Sequence, residues 1–197
     1  MTDGRLVICV DVDGVLANFI GAWAAWEWER GKKADPRPTS WCTEPSIDEF
    51  IATPGSYEGL ESLISMWEWA GLDCLMAEHY VYFVTSRNTA GEQVSTCQAQ
   101  TARWLSQWLH APPSVIVAGR SRGKLPILAA LGADFYIDDN IDSCRKALPT
   151  VPNVFVMAQS WNKAERGEFK KYGGKVANTF MDFVDAARKV KWTPEAV

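Results

Sequence analysis

The sequence is poor in the residues that build most zinc and redox sites. Only two histidines, His79 and His110, occur among 197 residues, and the five cysteines are scattered with no CxxC spacing. This composition argues against a zinc site of the usual histidine and cysteine kind, so we expect any metal to be a hard cation held by oxygen atoms. An odd, scattered set of cysteines favours a reducing compartment, where each is most simply a small buried apolar residue.

Excess positive charge and long apolar runs are also missing. The chain carries 20 Lys and Arg against 24 Asp and Glu, a formal net charge of −4, so no basic field predicts binding to duplex nucleic acid. Every apolar run is too short to cross a bilayer, and the first residues lack the pattern of a signal peptide. We therefore expect a cytoplasmic protein without a membrane anchor, built as one domain with room for an insert.

Five short apolar runs predict buried strands that alternate with helical patterns, which is typical of a doubly wound parallel sheet. The predicted strands are Leu6–Val10, Val81–Val84, Val115–Ala118, Phe135–Ile137 and Val154–Met157. The helices predicted after the second strand are Glu92–His110, Lys124–Leu131, Ile141–Leu148 and Phe180–Val190. The expected fold class is therefore α/β, with right-handed crossovers.

The stretch between the first two predicted strands is far longer than one crossover needs. Helical periodicity covers Leu16–Arg30 and Glu58–Ala70, with proline and glycine breakers between them. We interpret residues 16–56 as a small helical cap inserted after the first strand of an α/β core, which comprises residues 1–15 and 57–197.

Tryptophan is abundant in and near this insert, where six of the ten tryptophans precede residue 70. Trp23 and Trp26 lie three residues apart on one helical face and are expected to pack inward. Trp67 and Trp69 point to different faces of their helix, so at least one is expected at the surface or at a contact between the subunits of a homodimer.

Two aspartates, Asp11 and Asp13, follow the first predicted strand, and Gly14 comes next. Side chains alternate along a strand, so both carboxylates leave it on the same side, at the edge where open α/β sheets bind ligands. Like charges this close are costly unless a cation or a proton lies between them. A surface turn would explain Asp13 and Gly14, but it leaves Asp11 unexplained.

A second acidic pair, Asp138 and Asp139, ends the fourth predicted strand. A helix N-cap would account for one of these acids but not for both. Carboxylates at the ends of two strands, without histidine or cysteine partners, predict a magnesium site.

Hydroxyl and basic groups follow the two strands between the acidic pairs. Thr85, Ser86 and Arg87 end the second strand and suit phosphate oxygens, although a helix N-cap is an equal alternative. Lys124 follows the third strand in a loop that resembles a Walker A motif, but its spacing is one residue short and Leu125 replaces the required hydroxyl. We interpret Lys124 as a single cation directed at the shared site.

The order Asp-x-Asp-Gly, Thr-Ser, Lys and Asp-Asp resembles the haloacid dehalogenase (HAD) superfamily of phosphohydrolases, whose four motifs fall here within residues 11–142. Within that superfamily the chain is most similar to the 5'(3')-deoxyribonucleotidases. The similar segments are Asp11–Asn18, Ser40–Glu44, Pro54–Glu61 and Val154–Asn162. Asn18 stands where Asp is usual in that family. Ser40 and Ser56 stand where aromatic residues line its nucleobase pocket, so its base preference is not carried over.

The resemblance implies roles for the acids. Asp11 would be the nucleophile, and Asp13 would protonate the leaving oxygen and then activate water. Magnesium would bind the Asp11 carboxylate, the Asp13 backbone carbonyl and Asp138. Asp139 would either bind the metal directly or orient its water ligands.

The resemblance also implies where the phosphate binds. Gly14, Thr85 and Lys124 would hold the phosphoryl oxygens and offset the charge that develops on them. Ser86 and Arg87 are predicted to be further phosphate contacts. Thr-Ser-Arg in place of the usual nucleotidase sequence is closer to the phosphatase half of polynucleotide kinases.

The implied function is a magnesium-dependent phosphomonoesterase that acts on a (deoxy)nucleoside monophosphate through an aspartyl-phosphate intermediate. Trp41 and Tyr57 of the cap are expected to contact this small phosphorylated substrate. The alternatives are a 3'-phosphatase acting on nucleic-acid ends and a phosphatase of another small phosphate ester. A binding protein that kept the fold without catalysis is disfavoured, because every acid that catalysis requires is present.

Overall fold

The fold is built on one six-stranded sheet in which every neighbouring pair of strands is parallel. The computed structural model describes residues 4–31, 46–88, 96–119 and 121–190. The strands are β1 (Val7–Val10), β2 (Tyr80–Thr85), β3 (Ser114–Val117), β4 (Phe135–Asp138), β5 (Asn153–Met157) and β6 (Lys175–Ala177). Their order across the sheet is β3-β2-β1-β4-β5-β6, which confirms the predicted α/β class. Strand β6 was not predicted, because its three residues contain no apolar run.

Helices cover both faces of the sheet. They are α1 (Phe19–Glu29), α2 (Ser46–Ala52), α3 (Met66–Glu78), α4 (Cys97–Leu105), α5 (Ser121–Leu131), α6 (Ile141–Ala147), α7 (Arg166–Lys171) and α8 (Phe180–Lys189), with a 3-10 turn at Ser160–Asn162. Ile8 and Val10 of β1 belong to one buried apolar cluster, whereas Val7 and Cys9 belong to a second. Because successive side chains of a strand point to opposite faces, a strand covered on both sides is apolar throughout, as the run at β1 indicates.

The predicted helix over Glu58–Ala70 is wrong in its position, since α3 begins at Met66. A capping box sets this start: Ser65 Oγ accepts a hydrogen bond from the Glu68 amide, and Glu68 Oε2 accepts one from the Ser65 amide. Glu68 Oε1 also accepts from the Phe180 amide at 2.7 Å, where α8 begins. This capping box favours the later start of the helix, and apolar periodicity alone does not reveal it.

Helices α1 and α2 lie in the segment predicted to be a cap. Phe50 of α2 packs edge-on against Phe19 of α1, with ring centroids 5.5 Å apart, and Trp23 Nε1 donates to Ser46 Oγ at 3.2 Å. Helix α2 was not predicted, because Pro45 was interpreted as a break, whereas proline is also common at the start of a helix. The boundaries of the cap stay a prediction.

The tryptophans in this half of the chain divide as the sequence predicts. Trp23 and Trp69 are buried, Trp26 packs partly buried against the core, and Trp67 is 81% exposed. The exposure of Trp67 confirms that one of the α3 pair lies at the surface, and the homodimer stays a prediction. Among the described residues, no helix combines the length and the apolar character that a membrane crossing needs.

Candidate active site

The candidate site lies where the order of the strands reverses. Strands β1 and β4 are neighbours at the centre of the sheet, and the chain winds outward from them in both directions, which creates a crevice at their carboxyl ends. The Asp11 amide donates to the Ile137 carbonyl at 3.0 Å and so continues the pairing of the two strands past β1. Asp11, Asp138 and Asp139 each place a carboxylate oxygen within 4.8 Å of the others.

Lys124 bridges two of these carboxylates. Its Nζ lies 2.8 Å from Asp11 Oδ1 and 2.9 Å from Asp138 Oδ2. Asp138 also accepts hydrogen bonds from the Tyr136 hydroxyl and, at 2.8 Å, from the Asn140 amide. Burial by itself would lower the pKa of Lys124, but the two carboxylates outweigh burial and raise it, so Lys124 is charged and spans the base of the site.

The carboxylates exceed the positive charge around them. Burial, together with the charge of Asp138, raises the pKa of Asp11 well above the usual carboxyl range. The same two causes, with Asp11 as a third, raise the pKa of Asp139. Burial would also raise the pKa of Asp138, but Lys124 and the hydrogen bonds from Tyr136 and Asn140 together outweigh burial, so that pKa is lowered. Three buried carboxylates against one ammonium group, with only oxygen donors, fit a hard divalent cation.

The absence of a side chain at Gly14 leaves room for the Asp139 carboxylate. Its φ of +78° lies in the left-handed region, and a Cβ at this position would overlap Oδ2 of Asp139. That oxygen accepts a hydrogen bond from Trp161 Nε1 at 2.9 Å. A residue with a side chain at position 14 would therefore be strained and would also displace the carboxylate.

Three supporting residues come from the segment after β5. Besides Trp161, Gln159 Nε2 donates to the Gly14 carbonyl at 2.7 Å, and Asn162 Nδ2 donates to the Asp139 carbonyl at 2.8 Å. The sequence analysis did not assign these residues to the site. Their segment was noted for its similarity to the nucleotidases, and that similarity was the available signal.

Asp13 is bound by Arg87 through both of its oxygens. Arg87 Nε donates to Oδ2 at 2.9 Å and Nη2 donates to Oδ1 at 2.7 Å. The third guanidinium nitrogen, Nη1, donates to Thr101 Oγ1 at 2.8 Å, and the guanidinium lies 4.5 Å from the centroid of the Tyr57 ring. Arg87, predicted from the sequence to contact phosphate, is thus paired with the second acid of the first motif.

A cavity of about 340 Å³ joins these residues. Its polar wall contains Asp11, Asp13, Thr85, Ser86, Arg87, Asn88, Lys124, Asp138, Asp139 and Asn140, and its apolar wall contains Phe19, Ile47, Ile51 and Tyr57. Thr85 is fully buried, and the buried Ser86 hydroxyl has no hydrogen-bond partner among the described residues. Trp41 lies outside the described residues, so its predicted substrate contact stays a prediction.

Comparison with known proteins shows the fold to which this site belongs. No family model matches the sequence, and a search of curated proteins finds no match. Among solved structures, a HAD family hydrolase from Deinococcus radiodurans R1, with bound phosphate and sodium, shares 13% identity at a TM-score of 0.61, over 99% of this chain and 100% of that one. This chain has a HAD-type fold.

A second structure with the HAD-type fold is D,D-heptose 1,7-bisphosphate phosphatase from B. bronchiseptica, complexed with magnesium and phosphate. It shares 13% identity at a TM-score of 0.50 and covers 94% of this chain and 99% of its own. At this identity the likeness concerns the fold alone. The finer resemblance to deoxyribonucleotidases stays a prediction.

Proposed function

We propose that the protein is a magnesium-dependent phosphomonoesterase that acts on a (deoxy)nucleoside monophosphate. The observation that carries this proposal is the cluster of Asp11, Asp138, Asp139 and Lys124 at the sheet's switch point, with Asp13 in the same cavity. The two solved neighbours, one described with magnesium and both with phosphate, support the phosphatase part of this proposal but not its nucleotide substrate.

The metal would be held by Asp11, Asp138 and Asp139, together with the backbone carbonyl of Asp13. When bound, magnesium would offset the negative charge of the phosphoryl group and of the carboxylates around it. Magnesium usually binds to a few carboxylates and keeps several water ligands, and it is seldom enclosed entirely by protein ligands. Trp161 would keep the Asp139 carboxylate oriented, since it already binds Oδ2.

The reaction would use the first motif in two steps. In the first, a carboxylate oxygen of Asp11 forms a bond to phosphorus, the ester P–O bond breaks, and Asp13 gives a proton to the departing oxygen. In the second, Asp13 takes a proton from water as the water oxygen bonds to phosphorus, and the bond between phosphorus and Asp11 breaks to release phosphate.

The phosphoryl oxygens would be held by Thr85, Ser86 and Lys124. The Gly14 amide, which the sequence predicts as a further contact, donates instead to the Ala17 carbonyl at 2.9 Å. The Ser86 hydroxyl supports this role, because a buried hydroxyl without a protein partner is costly unless a ligand or water satisfies it. Lys124 would add positive charge where the transferred group becomes more negative.

The rest of the substrate would contact the apolar wall. Phe19, Ile47, Ile51 and Tyr57 present a surface on which a nucleobase can pack, and Trp41 is proposed to join them. The cavity volume of about 340 Å³ lies in the range of small-molecule sites, which favours a mononucleotide over a nucleic-acid end. A sugar phosphate is the competing substrate, since one neighbour is described as a heptose bisphosphate phosphatase.

Release of inorganic phosphate from a panel of nucleotides and sugar phosphates, with and without magnesium, tests the proposal. We expect release from a nucleoside monophosphate that stops when magnesium is removed. Asp11→Asn should abolish turnover while keeping the circular dichroism spectrum of the folded protein. The matched control is Asp142→Asn, because Asp142 is an acid just after the Asp138 and Asp139 pair but its side chain is 72% exposed and contacts Arg145.

Two results would contradict parts of the proposal. Release from sugar phosphates alone would overturn the nucleotide assignment. Undiminished turnover by Asp11→Asn would overturn the nucleophile.

A further inference from the structure

Arg87 binds the Asp13 carboxylate in a bidentate geometry, which fixes the orientation of that carboxylate. Its Nε and Nη2 meet the two oxygens separately, at 2.9 and 2.7 Å, and such a fork restrains both the position and the plane of a carboxylate. Among the described residues, no other side chain forms a hydrogen bond to the Asp13 carboxylate, so its orientation depends on Arg87.

Arg87 is itself held by two groups that the sequence analysis did not connect with it. Thr101 Oγ1 of α4 accepts a hydrogen bond from Nη1 at 2.8 Å and donates one to the Cys97 carbonyl at 2.7 Å. The Tyr57 ring lies against the guanidinium, and the Tyr57 hydroxyl donates to the Asn88 carbonyl at 2.9 Å. The Arg87 side chain is completely buried, so it has little freedom to leave Asp13.

We infer that Arg87 is a positioning residue that aims Asp13 at the leaving-group oxygen, and that Thr101 fixes Arg87 in turn. This inference rests on the proposed phosphatase function and gives Arg87 a role other than binding phosphate. A phosphate ligand would have to draw Arg87 away from a buried ion pair, whereas Lys124 already stands between the carboxylates that would surround the phosphoryl group. Thr101 therefore affects catalysis although it does not line the cavity.

The two roles of Arg87 predict different dependence on the leaving group. Proton transfer matters greatly when the departing oxygen is strongly basic and little when it is weakly basic, whereas phosphate binding matters equally for both. A series of substituted phenyl phosphates varies the leaving group at nearly constant shape, and kcat/KM reports the steps up to formation of the phosphoenzyme.

Arg87→Lys keeps the charge but loses the fork. We expect its kcat/KM to fall about 100-fold for phenyl phosphate, since a shift of about 1 Å in a catalytic group has an effect of this size. For dinitrophenyl phosphate, whose leaving group needs little protonation, we expect a fall of less than about threefold. The affinity for inorganic phosphate, measured by calorimetry with magnesium present, should stay within about twofold of wild type, because Arg87 does not bind it.

A second pair of variants covers the case in which Arg87→Lys fails to fold. Thr101→Val keeps the shape of the side chain but removes the acceptor for Nη1, and it should steepen the dependence on the leaving group in the same sense. Thr101→Ser keeps the hydroxyl and should restore the wild-type dependence. A merely structural role of Thr101 would lower all rates together.

Equal losses for both phenyl esters, accompanied by weaker phosphate binding, would assign Arg87 to the phosphate and overturn the inference. An unchanged leaving-group dependence in Arg87→Lys and in Thr101→Val would also overturn it. The proposed function fails separately, if the wild-type protein hydrolyses no phosphate ester.

Discussion

Gly14 offers a test in which the magnitude follows from the structure, because its missing side chain leaves room for the Asp139 carboxylate. In Gly14→Ala, the φ of +78° costs an L-residue about 1–2 kcal/mol. The new Cβ would also overlap Oδ2 of Asp139, which has to retreat by about 1 Å to reach an ordinary contact distance. That retreat breaks the hydrogen bond from Trp161, and hydrogen bonds to charged groups contribute about 1.5–3 kcal/mol.

Together these terms predict that Gly14→Ala lowers the free energy of unfolding by about 2.5–5 kcal/mol. Gly132→Ala is the matched control, because Gly132 also has a positive φ, +64°, but an added Cβ would meet nothing within 4 Å. Its expected loss is only the conformational part, about 1–2 kcal/mol.

Urea unfolding in metal-free buffer measures both losses, provided that the slope m is unchanged. A Gly14→Ala loss no larger than that of Gly132→Ala would refute the argument that Asp139 is held against the Gly14 backbone. Calorimetry adds a second reading, since magnesium affinity should fall in Gly14→Ala and be unchanged in Gly132→Ala.

Two further predictions concern the carboxylates and their support. In metal-free protein, stability should fall as the pH rises above about 4, the ordinary carboxyl value, because the raised pKa values of Asp11 and Asp139 give stability that is lost as those groups ionise. Melting curves should show magnesium or Asp139→Asn flattening this dependence, and an unchanged slope would contradict the charge argument. Trp161→Phe should weaken magnesium binding about 10–100-fold by calorimetry, while Trp67→Phe, at an exposed site, should not; equal affinities would show that the Trp161 contact is dispensable.

The acidic cluster could be predicted because each acid ends or directly follows a recognisable strand. β1 and β4 are apolar on both faces, so their sequences predict buried parallel strands, and the carboxyl ends of such strands share one edge. Adjacency of β1 and β4 followed from no local pattern.

The partner of Asp13 could not be predicted in the same way. Arg87 is 74 residues away in sequence, and its orientation depends on Thr101, whose helix has no feature that marks it as part of a site. A hydroxyl on a buried helical face is ordinarily interpreted as part of the core. Only the position of Arg87 shows that Thr101 supports the site. The start of α3 was predicted wrongly for a related reason. A capping box sets the start of the helix, and it outweighs the apolar periodicity of the residues before it.

The central position of β1 has a consequence during synthesis of the protein. Val10 is made before both of its partners, since it pairs with Phe83 on one side and with Ile137 on the other. Until both partners have left the ribosome, the apolar β1 has at least one open edge, and such edges pair readily with other chains. Pairing this distant in sequence is also slow. The topology that brings the carboxylates together therefore leaves the nascent chain vulnerable to aggregation until β4 has been synthesised.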